Sequence, residues 1–406
     1  MRAPLARVLC DGDAAALGDV SIVRTKYKPG KNCLVLYRME QSPGRAGAPR
    51  FALVRFYETG GAARRLNQAA YVPASNAGSA CRAVLLEEYD ALAWLLPHER
   101  KLRHLPALSQ RDRFAREVLP ELVTALRWTH GATFELEPVH YTPEHSCCVR
   151  LTLRGAADQM RVLYGKTYAD AQGARTGVVM QALDAVDSRA RGFATPRALA
   201  YLRRTRSLWQ EAVPGLPALS LLRADQLDRA TIGAMARSVA AFHRGNAMCR
   251  PPAHLAGNWS PRQRVLPMLG IVAPLLVARA RAILDACDAH PERRAARVAL
   301  VHGDLHLQNL LIAHDSIHVI DLDNVRLGDP LDDLATLFAS LLGLAIAGRI
   351  ATAPVRRFVD EFLAAYRHAA GVPPAPDELA RATAQALVEQ RVFRAITRLK
   401  DGRPAA

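Results

Sequence analysis

The chain has 406 residues, half of them hydrophobic, enough to bury two or three cores. Its formal charge of +16 suits anionic ligands in general, but the arginines are scattered and aromatics make up only 6%, so nothing marks a dedicated nucleic-acid binder. Seven cysteines without CxxC spacing give no disulfide or zinc framework. The first residues lack an apolar signal core, and the longest apolar run, 334–348, is too short to span a bilayer, so a cytoplasmic protein is expected.

In the first 130 residues, Tyr27-Lys28-Pro29-Gly30-Lys31-Asn32-Cys33-Leu34-Val35 resembles Tyr141-Thr142-Pro143-Glu144-His145-Ser146-Cys147-Cys148-Val149 at an offset of 114. Val54-Arg55-Phe56-Tyr57 parallels Gly165-Lys166-Thr167-Tyr168 at an offset of 111. The pattern reads either as a degenerate internal repeat, with Arg55 where Lys166 stands, or as a chance likeness of two hairpins. Between the copies, Tyr89–Leu96 and Arg113–Thr129 are predicted as helices, broken at Pro97 and Pro120.

Lys166 ends the apolar stretch Val162-Leu163-Tyr164-Gly165 and is the sole lysine between Lys101 and Lys400. In a chain with six lysines among 54 basic residues, a compact ammonium is a different tool from the prevailing guanidinium, which singles Lys166 out; otherwise it is a plain strand-end lysine. Leu208 to Gly215 reads as a strand leading into a Pro-Gly turn. Leu227–His243 is predicted as a helix with Ile232, Met235, Ala236, Val239 and Phe242 on one face, and its last residue, His243, is assigned to packing. Ile271–Cys287 reads as a second apolar helix, 334–348 as a buried one, and Pro354 to Arg398 as two or three more.

Residues 301–334 carry aspartates at 304, 315, 321, 323, 329, 332 and 333, with Arg326 the only lysine or arginine among them. Clustered carboxylates repel one another unless a cation lies between them, and the interleaved apolar residues argue against a merely solvated turn. Leu310-Leu311-Ile312 and Ile317-His318-Val319-Ile320 flank the turn formers His314-Asp315-Ser316, predicting a β-hairpin. A hairpin centred on Asp315 opposes Asn309 to Asp321, about 4.5–5.5 Å apart at Cβ, so an amide oxygen and a carboxylate can share one hard cation. Asp304, at the end of another strand, is placed to accept a proton from a hydroxyl. A base and a metal pair without a nucleophile have the shape of phosphoryl transfer.

His302-Gly303-Asp304-Leu305-His306 with Asn309, then Ile320-Asp321 and Gly328-Asp329-Pro330-Leu331-Asp332-Asp333, resembles the aminoglycoside phosphotransferase and choline kinase-like family. The resemblance implies an α+β, bilobal protein-kinase-like fold with a small β-rich N-lobe and a large helical C-lobe. The implied division is an accessory or cap domain over 1–130, an N-lobe over 131–213 and a C-lobe over 214–406. It further implies ATP and Mg2+, a small-molecule hydroxyl acceptor, Asp304 as catalytic base and His302 as the residue orienting its loop. Asn309 and Asp321 would hold the metal, Lys166 the α/β-phosphates, and backbone groups from Glu211 to Val213 the adenine, with Asp333 structural. Asp323 has no assigned role in the pattern and reads as solvated or, second to that, as a further metal neighbour.

Two departures accompany the resemblance. No glutamate follows Lys166 on the next helix, where Gln181 and then Asp184 are the nearest substitutes, and the turn at Tyr141–Ser146 is not glycine-rich. The leading function is therefore a small-molecule phosphotransferase, with a silent nucleotide-binding scaffold as the alternative. A dinuclear hydrolase using His302, Asp304 and His306 ranks below both. Protein kinase activity is disfavoured because no activation-loop segment fits between Asp321 and Asp329, and the basic balance of residues 351–406 leans away from a polycationic acceptor.

Overall fold

The computed structural model describes residues 2–9, 17–28, 30–41, 50–66, 68, 83–128, 133–155, 159–185, 192–247, 262–289, 298–314, 316–370, 374–400 and 403–404. The alternation of apolar and polar residues in the first part yields strands β1 (Leu17–Lys28), β2 (Asn32–Gln41), β3 (Arg50–Phe56), β4 (Val84–Leu86) and β5 (Ala91–Leu95). A second set follows: β6 (Thr133–Thr142), β7 (Ser146–Arg154), β8 (Met160–Tyr168), β9 (Ala198–Leu202) and β10 (Ser207–Glu211). The expected helix at Tyr89–Leu96 is instead β5, because Ala91, Leu92, Ala93 and Trp94 are all buried between the two faces of a sheet and no helical stripe is needed.

Both sets build antiparallel sheets in the same order. The first runs β1-β2-β3-β5-β4 and the second β6-β7-β8-β10-β9. Their registers agree as well. Lys28 opposes Asn32 as Thr142 opposes Ser146, Leu34 opposes Arg55 as Cys148 opposes Lys166, and Arg55 opposes Leu92 as Lys166 opposes Leu208. The first sheet gains two strands from the far end of the chain, β16 (Arg398–Lys400) against β1 and then β17 (Arg403–Pro404).

Helices Leu105–Ser109, Arg111–Glu117 and Leu119–Ala125 share a core with the second sheet, where Phe114, Leu108 and Leu122 meet Val149, Leu151, Leu163 and Trp209. Each large apolar side chain fully removed from water contributes on the order of 1.5–3 kcal/mol. Gly165 makes this core possible, since a Cβ there would lie 2.5 Å from the Trp209 ring. On the opposite face, helix Gln172–Asp184 and Tyr168 join the core of the helical lobe.

That lobe is built from helices Arg229–His243, Pro330–Ile346, Thr352–Ala370 and Pro376–Ala386. Asp228 caps the first by accepting from the Thr231 amide at 2.7 Å, and Asp329 caps the second from the Leu331 amide at 2.9 Å, followed by Pro330 at its first position. The stretch expected as one helix from Ile271 to Cys287 is divided between Arg262–Val272 and Val277–Asp288, with Pro274 opening a short 3-10 turn between them.

Strands β11 (Leu216–Pro217), β13 (Leu310–Ala313) and β14 (Ser316–Val319) form a small sheet, and β12 (Ala299–Val301) pairs with β15 (Arg326–Gly328). The expected hairpin is present with a different register. Its pairs run from Leu310 opposite Val319 to Ala313 opposite Ser316, one residue off a hairpin centred on Asp315, which itself lies outside the described residues.

Candidate active site

Four segments meet where the second sheet faces the helical lobe. His302-Gly303-Asp304 leaves β12, Asn309 ends a 3-10 turn before β13, Asp321 follows β14, and Lys166 reaches down from β8. The one-residue register difference removes the direct cross-strand opposition of Asn309 and Asp321. Asn309 instead accepts the Ile320 amide at its carbonyl, 3.0 Å away. Asp321 then leaves the strand in the left-handed region, φ 60 and ψ 58, so its carboxylate is aimed by the turn and not by the pleat.

The loop is held from behind. Asp333 is buried at the start of its helix and accepts from the amides of His302 at 2.6 Å and Gly303 at 2.8 Å. The His243 ring bridges Asp333 Oδ2 at 3.2 Å and the Tyr366 hydroxyl at 2.7 Å, so His243 supports the loop and does more than fill space. Burial pushes the Asp333 carboxyl up, but the His243 contact and the donated amides outweigh it and hold it below the ordinary range. His302 is fully buried. Its Nε2 donates to the Ile320 carbonyl at 2.8 Å while Nδ1 faces the Asp304 amide at 3.4 Å. With both ring nitrogens engaged, His302 holds the loop in this structure and is not turned toward a metal as the dinuclear-hydrolase alternative would need. Gly303 has φ 78, and a Cβ there would strike Arg326 Nη1 at 2.3 Å and the Asn324 carbonyl at 2.5 Å, so only glycine fits.

Lys166 Nζ lies 2.9 Å from Asp321 Oδ1 and 2.6 Å from Asp323 Oδ2. Asp323, expected to be solvated, is 8% exposed and also accepts from the Tyr168 hydroxyl at 2.8 Å and from Thr176 Oγ1 at 3.0 Å. The partner absent from the helix after Lys166 is thus supplied across the cleft by Asp323, and neither Gln181 nor Asp184 meets the lysine. Burial disfavours the Lys166 charge, yet Asp323 and then Asp321 outweigh it and raise the ammonium above its usual value. Asp321 moves the opposite way: burial raises it, and the Lys166 charge carries it below the carboxylate range.

Two oxygens fit a hard cation. The Asn309 amide nitrogen is spent on the Asp304 carbonyl at 3.1 Å, leaving Oδ1 without a protein donor among the described residues. The Asp321 side chain is 43% exposed. An amide oxygen plus one carboxylate suits magnesium, which keeps waters and shares its shell with phosphates. No group of three His, Cys, Asp or Glu side chains gathers as a metal site among the described residues.

Along the connection between the lobes, the Glu211 amide donates to the Arg197 carbonyl and the Ala212 amide to the Val162 carbonyl, both at 3.1 Å. The Val213 amide has no backbone acceptor among the described residues, and the Glu211 carboxylate is bound to Arg197 at 2.6 Å. Asp304 Oδ1 is 3.3 Å from Arg394 Nη2, a contact that sequence reasoning missed. The spacing of Arg391, Arg394 and Arg398 was its only available signal.

A family model described as the phosphotransferase enzyme family matches residues 174–382, just over half of the chain. No curated protein sequence matches significantly. Similar solved structures include macrolide 2'-phosphotransferase MphH from Brachybacterium faecium, 16% identical, covering 65% of this chain and 87% of that one with a TM-score of 0.44. Choline kinase LicA from Streptococcus pneumoniae is 11% identical, covering 70% and 89% with a TM-score of 0.45. Aminoglycoside phosphotransferase APH(3'')-Id from Streptomyces rimosus, solved with ADP and streptomycin, is 20% identical, covering 67% and 98% with a TM-score of 0.40. No helix among the described residues is long and apolar enough to cross a membrane. With its sheet-rich and helical parts of α+β build, the chain belongs to the phosphotransferase enzyme family.

Proposed function

We propose that this protein transfers the γ-phosphoryl group of ATP to a hydroxyl of a small molecule, with magnesium held by Asn309 and Asp321. The observation that carries the reading is the bridge from Lys166 to Asp321 and Asp323, which sets a cation of the sheet lobe against the segment bearing Asp304 and Asn309. Magnesium bound there supplies charge neutralisation and orientation for the phosphates.

The chain's own residues do the rest. Asp304, its loop clamped by Asp333 and His302, orients the acceptor hydroxyl and takes its proton. Lys166 offers a fixed ammonium to the phosphates, and the free Val213 amide and the neighbouring Glu211 backbone meet the adenine edge. The scaffold alternative rested on the absent helix glutamate and on the extra N-terminal domain. Asp323 gives Lys166 a buried carboxylate partner, which favours turnover over silence.

The test is ATP consumption across sugars, amino alcohols and antibiotics, with Asp304→Asn as the blank. That variant should lose about 10²–10⁴ in kcat while still binding ATP. Undiminished turnover in it would take Asp304 out of the chemistry.

A further inference from the structure

The side of the cleft at Asp304 is crowded with cations. Arg391 lies in a π-helical turn, Leu387–Val392, Arg394 in the helix Phe393–Thr397, and Arg398 opens β16. Arg394 stands near enough to both Arg391 and Arg398 for its charge to disfavour theirs. β16 then lies on β1 with Lys26 directly opposite Arg398, and Arg24, two residues before Lys26, shares its face of β1. Like charges facing each other across a ladder are destabilising.

Only one carboxylate touches these arginines among the described residues, Asp304 through Arg394. Arg24 Nη1 is bonded to the neutral Thr142 hydroxyl at 3.3 Å. Arg391 packs its stem on Gly343, while its Nε and Nη2 are buried with no hydrogen-bond partner among the described residues. Buried guanidinium donors left unmade cost more than ordinary ones, and the fork geometry of arginine matches carboxylate and phosphate oxygens. Burial and then neighbouring cations push Lys26 down to about 8, and burial and then Arg394 push Arg391 and Arg398 to about 10.

We infer that these cations bind an anionic group on the phosphate acceptor, so that the substrate is an alcohol already bearing a negative group of the kind a phosphate monoester provides. The inference rests on Asp304 being the base of a phosphotransferase, because Arg394 fixes the cations to that side of the cleft. In the reaction the acceptor hydroxyl gives its proton to Asp304 and its oxygen bonds to the γ-phosphorus. The bond from that phosphorus to the β,γ-bridging oxygen breaks, and its electron pair leaves on ADP. The arginines seat the anionic end of the acceptor and take no part in bond making. A polyanion is disfavoured because Arg391 is turned inward instead of lining an exposed strip.

Matched pairs decide the matter: glycerol against glycerol 3-phosphate, glucose against glucose 6-phosphate, and inositol against inositol 1-phosphate, with glycerate as the carboxylate arm. At least one phosphorylated member should exceed its parent by about tenfold or more in kcat/KM, and Arg391→Gln should collapse that ratio mainly through KM, with Arg391→Lys retaining part of it. Neutral or cationic alcohols turned over as well as anionic ones, or a ratio untouched by Arg391→Gln, would overturn the assignment.

Thermal shift with glycerol 3-phosphate and with pyrophosphate, run without nucleotide, reads the site separately. The rise should persist in Asp304→Asn and vanish in Arg391→Gln. If no alcohol is phosphorylated yet that rise remains, the anion site stands and the phosphotransferase reading falls. An equal rise in all three proteins, or binding of a polyanion alone, sinks the anion site.

Discussion

The two five-stranded sheets share strand order and register, yet they treat one position in opposite ways. Lys166 on β8 looks into the cleft and meets Asp321 and Asp323; Arg55, at the matching place on β3, is 7% exposed and pairs with Glu144 from the turn between β6 and β7. Glu144 is itself the counterpart of Gly30, and both hold a left-handed backbone, φ 58 and φ 64. A turn that glycine occupies in the first sheet carries in the second a carboxylate that plugs the first sheet's cationic position. Arg100 at 3.3 Å reinforces that plug, and Glu99 accepts the Glu144 amide at 3.1 Å and the Tyr141 hydroxyl at 2.7 Å. One architecture thus yields a cation presented to the cleft and a cation used as mortar. The difference lies in where the nearest carboxylate comes from.

The largest effect that would test this contrast is on stability. Arg55→Ala leaves Glu144 buried without its main partner and should cost about 3–5 kcal/mol, read by chemical denaturation, with kcat per folded molecule little changed. A large kcat loss without destabilisation would mean that the first sheet serves the chemistry directly.

Next, Lys166→Ala should lower kcat/KM for ATP by about 10²–10³, the usual worth of one fixed charge-stabilising donor, and should also lower the unfolding midpoint because buried Asp323 loses its cation. If Arg55→Ala lowers kcat/KM for ATP as much per folded molecule, the contrast is wrong.

Asp323→Asn keeps the shape and the Tyr168 and Thr176 contacts but removes the negative charge that faces Lys166; a loss of about tenfold in kcat/KM for ATP is expected from steady-state kinetics. The smallest effect is on acid stability. Burial raises the Glu144 carboxyl, and the Arg55 and Arg100 charges outweigh it, so its folded value lies below the ordinary one. Its contribution is therefore complete above the unfolded value and lost as pH falls through the folded one. The melting temperature should drop less in Glu144→Gln than in the wild type when pH falls from about 5 to about 3.

The loop bearing Asp304 and Asn309 was legible because its pattern is local. Asp304 and Asn309 lie five residues apart, and the strand-turn pattern around them is short. Lys166 stood out because lysine is rare in this chain. Asp323 was misread because its burial depends on Tyr168 and Thr176, some 150 residues away in sequence, and periodicity around it says nothing of them. The hairpin register slipped by one because turn formers mark where a turn is, not which pair closes it. Arg394 was invisible for the same reason as Asp323, and His243, read as packing, needed Tyr366 and Asp333 to show its role. Tyr89–Leu96 failed because a strand buried on both faces has no alternation to separate it from a helix.

Strand β16 couples regions that would otherwise be independent. It fastens the last helical segment to the border of the opening sheet, so the helical lobe is tied to the first sheet through β16 and to the second through the linker leading out of β10. A lesion between 398 and 400 would therefore strike twice, baring the rim of β1 and displacing Arg398 from beside Lys26.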